Sequence, residues 1–462
     1  MITEEIILPS EWLFCNLDEG CVYIQRGKSP IYCEKSSLIV INQKCVRWSG
    51  IDYSFIKFIS QEQLNSIANE RYLQDNDILW NSTGTGTIGR AAIFYNFTQN
   101  KYVVDSHITI LRVNQSLFLP KYIHFFISSP FVQQKIDSMQ SGSTNQVELP
   151  SSIIKGTVIP LPPLAEQHRI VARIEELFSS LDKGIEALRT AQQQLKVYRQ
   201  AVLKYAFEGR LTNPDVKEGE LPEGWVEKKL FEVGKWTGGG TPSKANLSFW
   251  NNGKFLWVTP KDMKSDNITN TEDKITKQAI EKSSAKMISA NSVLIVVRSG
   301  ILRRTLPVSY VEKDVTVNQD MQAITPYSMN NKYLFYALKA NSEEIRRSCS
   351  KDGTTVESIE TSLLKTFKII EAPLDAQLKV VQEIESRLSV CDKIEENIEQ
   401  SLLQAEALRQ SILKKAFEGK LVPQDPNDEP ASVLLKRIKA ERDNNKLFKN
   451  VKKKIVKPIK PE

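Results

Sequence analysis

The chain has 462 residues, 25% of them charged and 41% apolar, which allows two to four domains with buried cores and is ordinary for a globular protein. It has three histidines and six cysteines with no C-x-x-C pair, so a zinc site and a histidine-based nucleophile are not expected and the thiols read as reduced. The net charge is +7, but eleven Lys/Arg against five Asp/Glu between Asp428 and Glu462 supply +6 of it, so bulk charge argues only weakly for a nucleic-acid partner.

At the N-terminus, Glu4 and Glu5 with no basic residue before a short apolar stretch do not fit a signal peptide. No apolar run reaches the roughly 18 residues of a membrane helix, so a cytoplasmic protein with no membrane partner is expected. The first block, residues 1–160, reads as strands at 37–42, 77–80, 91–95 and 108–113, then a helix over 120–139. Gly84, Gly86 and Gly89 spell G-x-G-x-x-G after a strand, as dinucleotide-binding turns do. The adjoining segment, 91–96, reads as another strand and not as the helix whose N-terminus would hold a pyrophosphate. Measured against a phosphate loop, Arg90 replaces its lysine and Ala91 its hydroxyl residue. The expectation is therefore a tight turn between strands, with backbone groups able to approach a DNA backbone.

From Pro162 the pattern changes. Ile174, Leu181, Leu188, Leu195 and Val202 recur every seven residues, with Leu177, Ala191, Tyr198 and Tyr205 between them. Gly184 is the sole glycine inside, and Gly209 marks the end, which predicts one long coiled-coil helix over 161–212. About 45 residues at 1.5 Å each give roughly 67 Å. Beyond it, Pro214-Asp215 with Glu227-x-Lys229 loosely fits the carboxylate pattern of metal-dependent nucleases, but Asp215 lies in an acidic loop, and such enzymes need carboxylates converging on a buried metal. The second block, 213–371, gives strands at 254–258, 292–297 and 322–325 and a helix over 332–347. In both blocks a helix precedes a glycine-containing loop, a short apolar strand and a long helix. The second long helix, 372–424, keeps the seven-residue phase in Ile384, Cys391, Ile398, Ala405 and Ile412, with Ile394 and Leu408 between. Residues 425–462 read as a basic, partly disordered tail, either solvated or touching DNA.

The chain repeats itself. Val202 to Gly209 (VLKYAFEG) recurs as Ile412 to Gly419 (ILKKAFEG), and the 210-residue offset holds back to Pro163-Leu164 and Pro373-Leu374. Leu8-Pro9-x-x-Trp12 recurs as Leu221-Pro222-x-x-Trp225 at an offset of 213. The fold class expected is α+β: two mixed α/β domains separated by two long helices forming an antiparallel intrachain coiled coil. A lone apolar stripe cannot stay exposed, and its repeat matches it in phase and length; homodimerisation through either helix is the rival arrangement.

Together these motifs resemble one family, the specificity subunits of type I restriction–modification enzymes. The carriers are Pro162-Pro163-Leu164-Ala165-Glu166-Gln167, Ala206-Phe207-Glu208-Gly209-Arg210-Leu211 and Ala416-Phe417-Glu418-Gly419-Lys420-Leu421 on the helices. In the second block they are Gly240-Thr241-Pro242, Trp257-Val-Thr-Pro260-Lys-Asp262 and Asn318-Gln319-Asp320. Ala431-Ser-Val-Leu-Leu435 resembles the family's C-terminal extension, while Asp375-Ala376-Gln377 departs from the Ala165-Glu166-Gln167 pattern. The resemblance implies that each variable block is a target-recognition domain reading half of a bipartite site in double-stranded DNA, with the helices as spacers. It implies two methyltransferase (M) subunits and restriction (R) subunits as partners. No cofactor is then bound by this chain; S-adenosylmethionine, ATP and Mg belong to the partners, and the chain itself is not an enzyme.

Reading DNA calls for Lys/Arg and hydroxyl groups on phosphate and side chains at base edges. The candidates in the first domain are Thr85, Thr87 and Arg90 in the glycine turn, then Ser143, Thr144, Asn145 and Gln146. In the second they are Thr241, Ser243 and Lys244, then Lys261 and Lys264, then Arg298, Arg303 and Arg304, then Lys351 and Thr354. Two other functions compete. One is a fused methyltransferase or nuclease, or a specificity subunit fused to or serving another methyltransferase class; the absence of an Asn/Asp-Pro-Pro-aromatic motif and of a third domain counts against a fused enzyme. A coiled-coil interaction scaffold without a DNA role would not need two dissimilar loop-rich domains on matched helices.

Overall fold

The structure, a computed structural model, describes residues 7–64, 67–98, 100–142, 147–351 and 357–441. It divides into two compact units, residues 1–187 with 401–462, and residues 188–400, so the division falls inside both long helices.

In the first unit, an antiparallel sheet runs in the order Cys21–Arg26, Ile108–Val113, Ile78–Asn81, Ala91–Ile93. A second sheet runs Lys101–Val104, Leu38–Ile41, Lys57–Ile59, Tyr32–Cys33, its first pair parallel. Leu38–Ile41 and Ile78–Asn81 are buried at every residue, which is why they read as continuous apolar runs and not as alternating strands. Ile39, Ile41, Leu79, Tyr102 and Ile110 form the core shared by the two sheets. On the other face of the first sheet, Ile78, Trp80 and Leu111 meet Tyr122 and Phe126 of the helix Pro120–Ile127.

The second unit repeats this plan. Its antiparallel sheet is Gly234–Gly238, Met321–Pro326, Ser292–Val296, Val308–Val311. The other is Lys274–Ile275, Phe255–Val258, Val315–Val317, Met287–Ile288, again with one parallel pair, here at its centre and not at its edge.

The single helices expected over 120–139 and 332–347 are both broken. The first becomes Pro120–Ile127, Pro130–Gln133 and Ile136–Met139, because Pro130 has no N–H to continue the ladder and opens a new helix instead. The second becomes Asn331–Ala340 and Ser342–Ser348; at the break Asn341 turns its own side chain back to Ala337 O at 2.8 Å. Short helices Ser151–Lys155 and Thr361–Thr366 also intervene before the strands Val158–Leu161 and Lys368–Glu371. Lys368–Glu371 pairs with Val226–Lys229, so Glu227 is a strand residue, ion-paired to Lys368 at 2.7 Å. No carboxylate cluster fit for a metal exists among the described residues.

The long helices are Leu164–Phe207 and Leu374–Phe417, 44 residues each. Within the first unit, Arg409 meets Asp182 and lies over the Phe178 ring at 4.3 Å, while Ile170 and Ile174 share a core with Ile412 and Phe417. Within the second, Arg199 bridges Asp392 at 2.7 Å and Glu395 at 3.0 Å, and Val202 and Phe207 share a core with Val380 and Ile384. The pairing is therefore antiparallel in each unit. All five stripe positions of the second helix, Ile384 to Ile412, are buried.

The repeated motifs turn out to be joints between these helices and the domains. Phe417 packs edge-on against Tyr122 and Phe126, with centroids at 5.1 and 5.0 Å, and Phe207 does the same to Tyr333 at 5.1 Å. Gln167 and Gln377 each use their carboxamide to tie the domain to the helix start, accepting from Leu119 N–H at 3.0 Å and Asn330 N–H at 2.8 Å. Gly209 and Gly419 adopt φ of +76° and +69° where Pro222 and Pro9 press against them. That is the physical content of Ala-Phe-Glu-Gly and Leu-Pro-x-x-Trp occurring together. In the first unit the joint gains a buried polar cluster: Glu166 accepts from Trp12 Nε1 at 2.9 Å and Gln424 Nε2 at 3.2 Å, and burial raises its carboxyl above the usual range. Ala376 stands at the repeat position of Glu166, so the cluster is not duplicated.

The start of the segment read as a basic tail is instead folded. Arg169 pairs with Asp428 at 2.6 Å, and Ala431, Leu434, Leu435 and Ile438 are buried against the first unit's core. Their spacing is that of an apolar helix stripe, which the charge count obscured. Residues 442–462 lie outside the described residues.

Candidate nucleic-acid interface

In each unit the loops that leave one end of the two sheets meet. In the first, the glycine motif is a turn between antiparallel strands Ile78–Asn81 and Ala91–Ile93, as expected. Gly84, Gly86 and Gly89 have φ of +99°, +76° and +87°, conformations a side chain would strain. Thr87 Oγ1 donates to Gln43 Oε1 at 2.9 Å and lies 3.1 Å from Gly84 O, and Arg90 Nη2 donates to Gly86 O at 2.7 Å. Thr85 is exposed near the tip. Beside the turn, Thr83 Oγ1 lies 2.5 Å from His107 Nδ1.

Thr83 and Ser141 both bridge to Glu148, which places the ends of the 140–148 loop against the same turn. Ser143, Thr144, Asn145 and Gln146 lie outside the described residues. Arg26 completes the cluster: Nη1 donates to Glu148 at 2.7 Å and Nε to Ser106 O at 2.5 Å. Gly27 must be glycine here, since a Cβ would lie 2.0 Å from Asp105 O. Asp105 itself is buried, and burial holds its carboxyl above the usual range against the opposing hydrogen bond from His107 N–H.

The second unit builds the same junction from different residues. Gly239 approaches Val317 O as Gly27 approaches Asp105 O, and Thr241 Oγ1 donates to Gln319 Oε1. Arg298 opens the turn, its Nε donating to Asp320 Oδ1 at 2.7 Å, where the first unit has Thr83 and His107. Asn318 Nδ2 donates to the other Asp320 oxygen at 3.0 Å. Arg298 bridges to Ser358 and Lys351 N–H donates to Ser358 O at 2.9 Å, so the 350–358 loop also joins. Thr354 lies outside the described residues. Arg303 pairs with Glu357 at 3.3 Å and stays 64% exposed, enough to exchange that partner for another anion.

Lys261 and Lys264 sit on the loop that Asp262 closes by accepting from Thr259 N–H and Oγ1, both at 2.8 Å. That loop comes after Phe255–Val258, whose Val258 O accepts from Asn318 N–H at 3.0 Å, so it borders the junction. Lys244, Lys261, Lys264, Arg304 and Lys351 are exposed and carry no carboxylate partner among the described residues. Further along the loop that carries Thr241, Ser243 O accepts from Trp250 Nε1 at 3.1 Å, and among the described residues no hydrogen bond ties Ser243 or Lys244 to the turn. Sequence reasoning missed Arg26, Gln43 and His107 and left Gln319 without a role. No local motif marks them; only strand pairing brings them to the turn.

Residues 33–191 and 222–404 match the Type I restriction modification DNA specificity domain, in two copies. The chain is 36% identical over 261 residues to the Type I restriction enzyme EcoR124I/EcoR124II specificity subunit of Escherichia coli, a match covering 54% of this chain and 59% of that relative. Two solved chains share the fold at 20% identity. One, from work on complex assembly and conformational transition of the type I R-M system, has a TM-score of 0.70 over 90% of this chain and 100% of its own. The other is the HsdS subunit from Thermoanaerobacter tengcongensis, with a TM-score of 0.60 over 91% of this chain and 100% of its own.

Proposed function

Because the chain belongs to the type I restriction–modification DNA specificity family, we propose that it reads a bipartite site in double-stranded DNA, one half with each unit. The observation that carries this reading is the duplicated junction: the same loops meet at the same strand ends in both units, but their side chains differ. A shared frame with different donors and acceptors is what two different half-sites require.

In this reading the unpaired lysines and Arg304 neutralise phosphates and fix register, which carries no base information. Arg298, Arg303, Thr241 and Gln319 in one unit, and Thr85, Thr87 and Arg90 in the other, face base edges. The ion pairs and carbonyl contacts that hold Arg90 and Arg298 keep their rotamers fixed before DNA arrives, so less side-chain freedom is lost on binding. The paired helices set the unread gap. Two methyltransferase subunits and restriction subunits supply adenine methylation and cleavage, and S-adenosylmethionine, ATP and Mg2+ act there. This chain contributes no reacting group.

The test is to express the chain with its methyltransferase partners and map methylated adenines across a genome. Two short motifs separated by a fixed unread gap are expected. A single uninterrupted motif, or methylation without sequence preference, would overturn the reading.

A further inference from the structure

Arg346 belongs to the helix Ser342–Ser348, outside the strand-end junction itself. Each of its three guanidinium nitrogens donates to a backbone carbonyl of the Arg298–Arg304 turn. Nε reaches Leu302 O at 2.8 Å, Nη1 reaches Arg304 O at 3.0 Å and Nη2 reaches Arg303 O at 2.8 Å. These carbonyls lie at the end of the short helix Gly300–Arg303, where intrahelical donors run out. Arg346 pairs with no carboxylate among the described residues, although Glu343, Glu344 and Glu357 line the same cleft of about 620 Å3. Its fork is thus directed at backbone and not at charge.

The first unit uses a neutral residue in the same way. Gln133, from the helix Pro130–Gln133, donates through Nε2 to Gly89 O of the glycine turn at 3.1 Å. In both units, then, a side chain from the helical segment before the bridged loop holds the turn by its carbonyls. Because Gln133 is uncharged, the shared element is the hydrogen bond.

We propose that Arg346 is a positioning residue for DNA reading: it fixes the turn so that Arg303 and Arg304 present their guanidinium groups to DNA, without contacting DNA itself. This rests on the reading of that turn as DNA-contacting. A lysine could keep the charge but cannot reproduce a planar three-carbonyl fork.

The experiment uses the full chain assembled with its methyltransferase partners and a duplex carrying the mapped target. The R303A/R304A double variant is expected to weaken specific binding roughly tenfold or more. R346A and R346K should each approach that loss, and the triple variant R303A/R304A/R346A should be no weaker than the double, since coupled residues are non-additive. Hydrogen exchange gives a readout free of DNA. The amides of Arg304 and Thr305, which donate to Ile301 O at 2.9 and 3.1 Å, should exchange faster in R346K while the sheet amides do not change. Wild-type binding by R346K, a triple variant weaker by the product of the separate losses, or unchanged exchange at Arg304 and Thr305 would overturn the proposal. Should R303A/R304A bind as wild type, the turn is not a DNA contact and the reading beneath the proposal fails first. Loss in that double variant with full binding by R346A sinks the positioning role alone.

Discussion

At the scale of single residues, the polar groups of the two junctions divide into those already engaged and those left open. Arg298 is the clearest test of an engaged one, being 57% exposed yet oriented by Asp320. Arg298→Ala is expected to cost about 1–3 kcal/mol of specific binding and to relax one position of one half-site, as loss of a guanine-reading arginine does. Methylation mapping of the variant checks it: unchanged half-sites would remove Arg298 from the reading set. Asp105 gives a pH-dependent prediction. Burial raises its carboxyl in the folded state above the ordinary 3.8, so its ionised form disfavours folding at neutral pH, and that penalty fades as pH falls through the raised value toward 3.8. Asp105→Asn, which keeps an acceptor for His107 N–H, should therefore raise the melting temperature near neutral pH, and the gain should shrink on acidification toward about pH 4. A gain that grows toward acid would contradict this. At this scale the sequence was only partly legible. Arg90 and Arg298 could be proposed because they stand next to or near glycines in turn-like stretches, whereas Arg26 and His107 reach the first unit's glycine turn through pairings such as Thr109↔Arg26, which no local pattern encodes.

Among elements, the long helices were the most legible part of the chain, because a seven-residue period sustained without proline has few other meanings. The shorter helices were less so, since Pro130 and Asn341 interrupt apolar patterns that look continuous. The motif glycines illustrate how position decides a residue's cost. Gly209 has φ of +76°, and a Cβ there would meet Pro222 Cγ at 2.3 Å; Gly184 lies in a helix with nothing near its missing Cβ. Gly209→Ala should destabilise the second unit by at least roughly 1–2 kcal/mol from backbone conformation alone. Gly184→Ala should stabilise by about 0.5–1 kcal/mol. Chemical denaturation of both variants tests the pair, and equal effects would mean that the helix–domain joint does not depend on that close approach.

For the whole molecule, the duplication organises everything else. The two-fold repeat, its 210-residue offset and the antiparallel helix pairing were readable because repeated apolar spacing survives sequence divergence, while the folded segment 425–441 was hidden under its charge. If the two units are independent readers on one frame, each half of the target answers to one block. The most direct test replaces residues 1–160 with the matching block of a relative of different specificity, keeps 161–462, and maps methylated adenines with the same partners. One half-site should change, with the other half and the gap length preserved. A change in both halves, or an altered gap with both halves intact, would contradict the account.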